Sequence, residues 1–132
     1  MSRYVHVSAT ALTDLDEVAR ALASMGLAAQ RGPRGPLMLE GSFECPGEPV
    51  ELRLPAGTLD SVEDFGFVRT AEGPLRLVCG ELDRTLLVER LLAPLRAAVT
   101  EARIRTAATA AGLELEAVTQ TEGPRRLVLR RS

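Results

Sequence analysis

Two stretches of the chain share the pattern Glu-Gly-Pro-x-Arg-Leu-Val, first at residues 72–78 and again at residues 122–128. In each stretch a Gly-Pro break separates two runs in which apolar and polar residues alternate, and this arrangement is typical of a β-hairpin. The pattern predicts one hairpin in the middle of the chain and another at its end. The echo between residues 65–79 and 115–131 indicates either an internal duplication or turn chemistry that the two hairpins share.

Apolar residues at helical spacing predict two helices. The first begins near Thr13 with carboxylates in its first turn, and it ends at Gly26, which suits a left-handed cap. The second is longer: Asp83 is its expected N-cap, and it runs to about Ala111. Because proline cannot donate a backbone hydrogen bond, Pro94 is expected to kink this helix or to split it in two.

The remaining segments predict strands. Tyr4–Ala9 is a short strand, and Leu37–Cys45 and Val50–Leu54 flank the turn-forming residues Pro46–Pro49. With the two hairpins, the chain is expected to fold as α+β, with a mainly antiparallel sheet of about six or seven strands packed by one short and one long helix. The 132 residues are expected to form a single domain.

The composition argues against an enzyme. The sequence contains no lysine, which excludes Schiff-base and P-loop-lysine chemistry. His6 is the only histidine, so neither a Ser-His or Cys-His pair nor a multi-histidine metal site can form within the chain. The acidic residues Asp60, Glu63 and Asp64 match no calcium loop and are expected to form a solvated turn rather than a weak cation site. We therefore predict no catalytic residues, no metal and no cofactor.

Other features concern the cellular compartment. Cys45 and Cys79 fit no metal or redox spacing and are expected to be reduced, half-buried strand residues. The net charge of −2 gives no overall attraction to nucleic acid or to an anionic membrane. No leader pattern opens the chain, and no apolar run approaches the roughly 18 residues that span a bilayer. These features predict a cytoplasmic protein.

The last residues of the chain concentrate arginine, at Arg125, Arg126, Arg130 and Arg131. Guanidinium groups suit phosphate or carboxylate partners, which makes these residues a candidate site for nucleic acid or a phosphorylated ligand. The same charges on an edge strand would instead protect the sheet against aggregation.

The long helix offers a second candidate surface. Leu87, Leu91 and Leu95, together with Leu86, Val88 and Leu92, give it an apolar face that is broader than one sheet usually needs. The face belongs either to a central core helix or to a surface that binds a protein partner or a second copy of the chain.

Taken together, these segments resemble a small domain-of-unknown-function family found in algal plastid genomes, cyanobacteria and other bacteria. The likeness covers most of the chain. It includes the Met-Ser opening, the aspartate-led helix of residues 14–27, the Gly-Phe step at Phe65-Gly66-Phe67 and the ending from Gly123 to Arg131. The chain departs from the family at Cys79–Asp83, which lacks the family's tryptophan, and at Ala93–Ala98, which replaces a polar and aromatic helix motif.

Bacterial genes of this family often lie beside a gene for an AAA-type ATPase, so the resemblance implies an accessory or adaptor role. The leading hypothesis is a non-enzymatic protein-interaction module that acts as an accessory or adaptor partner of an AAA-type ATPase. The alternative is an arginine-mediated binder of nucleic acid or a phosphorylated ligand.

Overall fold

A computed structural model describes residues 3–41, 47–118 and 126–131. Its elements, in chain order, are β1 (Tyr4–Ala9), α1 (Leu15–Ser24), β2 (Leu37–Met38), β3 (Pro49–Val50), β4 (Leu52–Leu54), β5 (Phe65–Val68), β6 (Leu75–Gly80), α2 (Arg84–Leu87), α3 (Ala93–Ala110), β7 (Leu113–Val118) and β8 (Arg126–Arg131). A π-helical turn, Val88–Leu92, joins α2 to α3.

The main sheet has four antiparallel strands in the order β1-β6-β5-β4. Apolar side chains from one face of this sheet pack against α1 and the long helix to form the principal core. The strand contribution is Leu52, Leu54, Phe65, Phe67, Leu75, Leu77 and Cys79, and the helix contribution includes Leu15, Val18, Leu22, Leu87, Leu91 and Leu95. Helices on one face of an antiparallel sheet make an α+β fold, which confirms the predicted class.

The predicted strand count of the sheet is wrong, because β2–β3 and β7–β8 each form a separate pair. The run Val50–Leu54 was expected to be one strand, but it divides at Glu51 between β3 and the main sheet. The β2–β3 pair lies across the opposite face of the main sheet, where Leu39 and Val50 join Tyr4 and Val78 in a second apolar cluster. The β7 strand lies against α3.

Both central and terminal hairpins form where the Gly-Pro breaks predict them. Phe67 pairs with Leu77 in the first, and Leu115 pairs with Leu129 in the second. The turn of the second hairpin lies outside the described residues, and so do residues 42–46. Of the strand predicted at Leu37–Cys45, the described part is shorter than expected, because β2 spans only Leu37–Met38.

Helix α1 ends as its sequence predicts, but its N-cap is Asp14, which was expected in the first turn of a helix that begins at Thr13. The Asp14 carboxylate accepts hydrogen bonds from the amides of Asp16 (2.8 Å) and Glu17 (3.2 Å), which caps the N-terminus. At the C-terminus Gly26 has a φ of +81°, and the Leu27 amide donates to the Leu22 carbonyl at 2.9 Å. This geometry is a Schellman motif, which requires the left-handed conformation that glycine adopts most easily.

The long helix remains helical across Pro94. The helical stretch Glu81–Ala110 is 30 residues long, and Leu92 and Ala93 keep right-handed helical angles directly before the proline. Because Pro94 has no amide proton to complete the regular ladder, the irregularity falls in the preceding turn, which is π-helical. Of the two predicted outcomes, a kink or a split at Pro94, the split is wrong, because a π turn continues the helix into α3.

Two aspartates have roles that differ from those predicted. Asp83 does not cap the long helix, because its carboxylate accepts hydrogen bonds from the amides of Val62 (2.8 Å) and Glu63 (3.0 Å). Asp64 is buried rather than solvated, since it accepts hydrogen bonds from the Tyr4 hydroxyl and from the Glu40 amide at 2.6 Å. Each carboxylate holds a loop against the sheet by satisfying backbone amides that would otherwise be buried without partners.

Cys79 also differs from its prediction, because it is fully buried instead of half-buried. Cys45 lies outside the described residues. In the parts of the chain that are described, no helix combines the length and apolar character needed to cross a membrane.

Candidate partner-binding site

A depression on the described part of the surface lies between α1 and α3. We call it the α1–α3 groove. The two helices lie side by side because each places apolar residues in the core below: Val18 and Leu22 from α1, Leu95 and Val99 from α3. The groove has a volume of about 640 Å³, and its apolar wall consists of Ala21, Ala98, Val99, Ala102, Ala107 and Ala110.

The groove exists because these helices meet through small side chains. Alanine carries a single methyl group, so it leaves the space between two helices unfilled where leucine would close it. A second depression of about 550 Å³ shares Ser24, Ala98 and Ala102 with the groove and extends it toward Met25 and Pro94. The two depressions together form a continuous strip, largely of alanine, along α3.

An ion pair links the two helices at this groove. Two guanidinium nitrogens of Arg103 donate to the two carboxylate oxygens of Glu17, at 2.6 and 2.8 Å. This hydrogen bonding holds the pKa of Glu17 below its ordinary value, although partial burial opposes the shift. Because the Glu17 side chain is 23% exposed, the pair is screened only in part by solvent. The bidentate geometry fixes the position of α1 relative to α3.

We expect Arg103→Ala to destabilise the protein by about 0.5 kcal/mol at neutral pH, the size of a well-oriented, partly exposed ion pair. Since folding lowers the pKa of Glu17, the stabilisation is present above the ordinary value of 4.5 and is lost as the pH falls through the folded pKa. Urea unfolding of wild type and variant from pH 7 to pH 3 measures this difference.

Glu17→Gln is the matched partner in a double-mutant cycle with Arg103→Ala. Once Glu17 is neutral, removing Arg103 should cost little more. If the two losses instead add in full at neutral pH, Arg103 stabilises the fold without its pairing to Glu17.

The predicted arginines lie in the second hairpin. Arg126, Arg130 and Arg131 belong to β8, whereas Arg125 lies outside the described residues. Arg130 is directly opposite Glu114 in the strand register, and Glu116 lies opposite Val128. Residues of opposite charge at directly opposed positions are typical of a stabilised antiparallel pair. The register thus places one acidic residue, Glu114, opposite one of the predicted arginines, Arg130.

The predicted leucines lie in the core. Leu87, Leu91 and Leu95 each have a relative exposure of 0%. They pack against the sheet with α1, and their side chains are not accessible on the surface of the folded chain. Of the two roles that the sequence leaves open for this apolar face, their burial corresponds to the central core helix.

The described residues offer little for chemistry. Among them, no group of three or more His, Cys, Asp or Glu side chains is arranged to hold a metal ion. Burial raises the pKa of the Cys79 thiol to about 12, so the reactive thiolate is scarce at neutral pH. His6 lies on an edge strand, as predicted for a lone strand histidine, and its Nε2 is 2.8 Å from a carboxylate oxygen of Glu48.

Comparison with known proteins identifies no relative. No protein-family model, no curated protein and no solved structure matches the chain.

Few features of the sequence predict the α1–α3 groove. In the sequence, Glu17 is a carboxylate whose charge favours the first turn of a helix. Its partner Arg103 is 86 residues away, so local sequence does not predict their ion pair. The groove could have been predicted from Ala98 and Ala102, because alanines one turn apart on a helix indicate a close helix contact or an unfilled groove.

Proposed function

We propose that this chain is a non-enzymatic protein-interaction module that binds a helix of an AAA-type ATPase in the α1–α3 groove. The observation that carries the proposal is the continuous alanine-lined strip along α3, formed by two adjoining depressions. The family resemblance supports the choice of partner.

The small side chains favour a helical partner. Ala98 and Ala102 lie one turn apart on α3, and Ala102 is exposed. Small residues let a second helix approach closely, at the 8–10 Å separation of packed helices. An α3 of 18 residues is about 27 Å long and can support several turns of a partner helix. The expected ligand is an amphipathic helix with apolar residues at positions i, i+3, i+4 and i+7.

Charge at the groove favours one orientation of that helix. Arg20 lines the groove and interacts with Asp16 and Glu17 only through longer-range attraction, whereas Arg103 is paired directly with Glu17. An acidic residue beside the apolar stripe of the partner helix would pair with Arg20. Such complementary charges at the rim contribute more to association rate and specificity than to affinity.

The arginine-rich ending remains the source of the alternative function. The register favours it less, because Glu114 of β7 is opposite Arg130 of β8. Opposed charges of this kind reduce the positive field that attracts phosphate.

Ala102→Arg tests the groove. Arginine at this position fills the strip, so we expect binding of the ATPase to fall at least about tenfold, equivalent to about 1.4 kcal/mol. The matched control is Thr100→Arg, which adds the same side chain to an exposed position of α3 that does not line the groove. Tagged wild type and both variants, purified from the native host, identify any co-purifying AAA-type ATPase, and titration with the purified ATPase gives the dissociation constants.

Support requires that wild type and Thr100→Arg retain the ATPase while Ala102→Arg loses it with an unchanged circular dichroism spectrum. Recovery of no AAA-type ATPase with wild type would refute the partner. Equal binding of the ATPase by all three proteins would refute the groove as its site.

A further inference from the structure

The two edge strands of the main sheet, β4 and β1, differ in how they are protected from pairing with another strand. At the β4 edge, Gln30 pairs with Arg53 through two backbone hydrogen bonds of 2.8 and 2.9 Å, so this edge is covered. At the other edge, β1 runs for six residues without a proline, a glycine, an aspartate, a glutamate or an arginine. Natural sheets usually protect a free edge with such residues.

The backbone groups of His6 and Ser8 face away from β6. The Glu81 amide donates to the Arg3 carbonyl, which marks this opposed pair as hydrogen-bonded. Because hydrogen-bonded and non-hydrogen-bonded pairs alternate along an antiparallel ladder, Val5 and Val7 direct their N–H and C=O groups toward β6, and His6 and Ser8 direct theirs outward. No described residue outside the strand forms a backbone hydrogen bond with His6 or Ser8.

A shallow groove lies beside the β1 edge. It has a volume of about 500 Å³ and separates His6, Val7 and Ser8 from the start of the long helix. The helix contributes Arg84 and Glu89, with Val88, 36% exposed, between them. Arg84 and Glu89 are exposed, and neither forms an ion pair with a described residue.

We propose that a second copy of this chain binds here, with the two β1 strands paired antiparallel about a twofold axis at Val7. This pairing joins the two four-stranded sheets into one continuous sheet. It is an interaction separate from the α1–α3 groove.

The edge is self-complementary in this arrangement. His6 of each copy lies opposite Ser8 of the other, and their outward N–H and C=O groups form hydrogen bonds across the axis. The two Val7 residues meet as a non-hydrogen-bonded pair, whose side chains lie closest together. The twofold axis also places the long helices of the two copies in opposite directions. Arg84 of each copy therefore approaches Glu89 of the other copy, which gives two equivalent contacts.

Charge reversal tests this pairing while leaving the monomer intact, since both residues are exposed. Arg84→Glu alone, or Glu89→Arg alone, places like charges across the axis at two symmetric positions. We expect either variant to weaken the dimer at least about tenfold, and the double variant to restore it. Sedimentation equilibrium over a range of protein concentrations measures the dissociation constant, with the wild-type dimer at twice the chain mass of 14.2 kDa.

Hydrogen exchange identifies the strand involved. The amides of His6 and Ser8 should be protected in the dimer and should exchange rapidly in Arg84→Glu. Ala102→Arg, in the α1–α3 groove, should leave the dissociation constant unchanged. The proposal is overturned if wild type is monomeric at its highest soluble concentration, if the single reversals do not weaken the dimer, or if Ala102→Arg dissociates it.

Discussion

Replacing Gly66 with alanine is expected to destabilise the protein by roughly 3 kcal/mol or more, at or above the upper end of the usual cost of overpacking. Gly66 lies in β5 between Arg53 of β4 and Val78 of β6. A Cβ atom at this position would lie 2.0 Å from the Leu52 carbonyl oxygen and 2.9 Å from Cγ2 of Val50. The first contact is with backbone, so only a displacement of β4 can relieve it. Urea unfolding followed by circular dichroism measures the loss.

Gly80→Ala is the matched control for Gly66→Ala. Gly80 ends β6 with a φ of −60°, which alanine adopts without strain. Its added Cβ would lie 3.2 Å from Cγ of Glu63, a side chain that can move. We expect a cost below about 1 kcal/mol for this control. A Gly66→Ala protein as stable as Gly80→Ala would contradict the close approach of β3 and β4 to β5.

The hairpins and α1 were predictable because their signals are local. The Gly-Pro breaks fix where the strands turn, and the Gly26 ending satisfies backbone groups within a few residues of the chain. The Asp14 cap is equally local, although Asp14 was expected in the first turn and not at the cap. The positions of β3 and β4 were not predictable in this way. Whether Val50 or Leu52 joins the main sheet depends on Gly66 and Phe67, which are distant in sequence.

Buried polar residues were the hardest to assign from sequence. An aspartate directly before a helix is predicted to cap it. Asp83 instead accepts hydrogen bonds from the amides of residues 62 and 63, because the fold places the loop that contains them beside it. Asp64 reads as one charge in an acidic turn, and only the fold places the Tyr4 hydroxyl beside it. The candidate docking surfaces share this property, since the α1–α3 groove and the β1 edge are defined by pairs of elements that the sequence does not connect.

Replacing Leu91 with alanine is expected to cost about 2–5 kcal/mol, the range for removing a buried leucine side chain. Leu91 has a relative exposure of 0% and lies in the principal core between the sheet and the long helix. It belongs to the π turn that precedes Pro94. The free energy of unfolding, again from urea titration, measures the loss.

Leu82→Ala is the matched control, because Leu82 lies in the same helical stretch with a relative exposure of 74%. Its removal should change the free energy of unfolding by less than about 0.5 kcal/mol. The comparison separates the two roles that the sequence allows for the apolar face of this helix. A leucine that serves to bind a partner can be truncated without loss of stability, whereas a core leucine cannot. If Leu91→Ala proved as mild as Leu82→Ala, the leucine face would be available to a partner, and the α1–α3 groove would no longer be the preferred docking site.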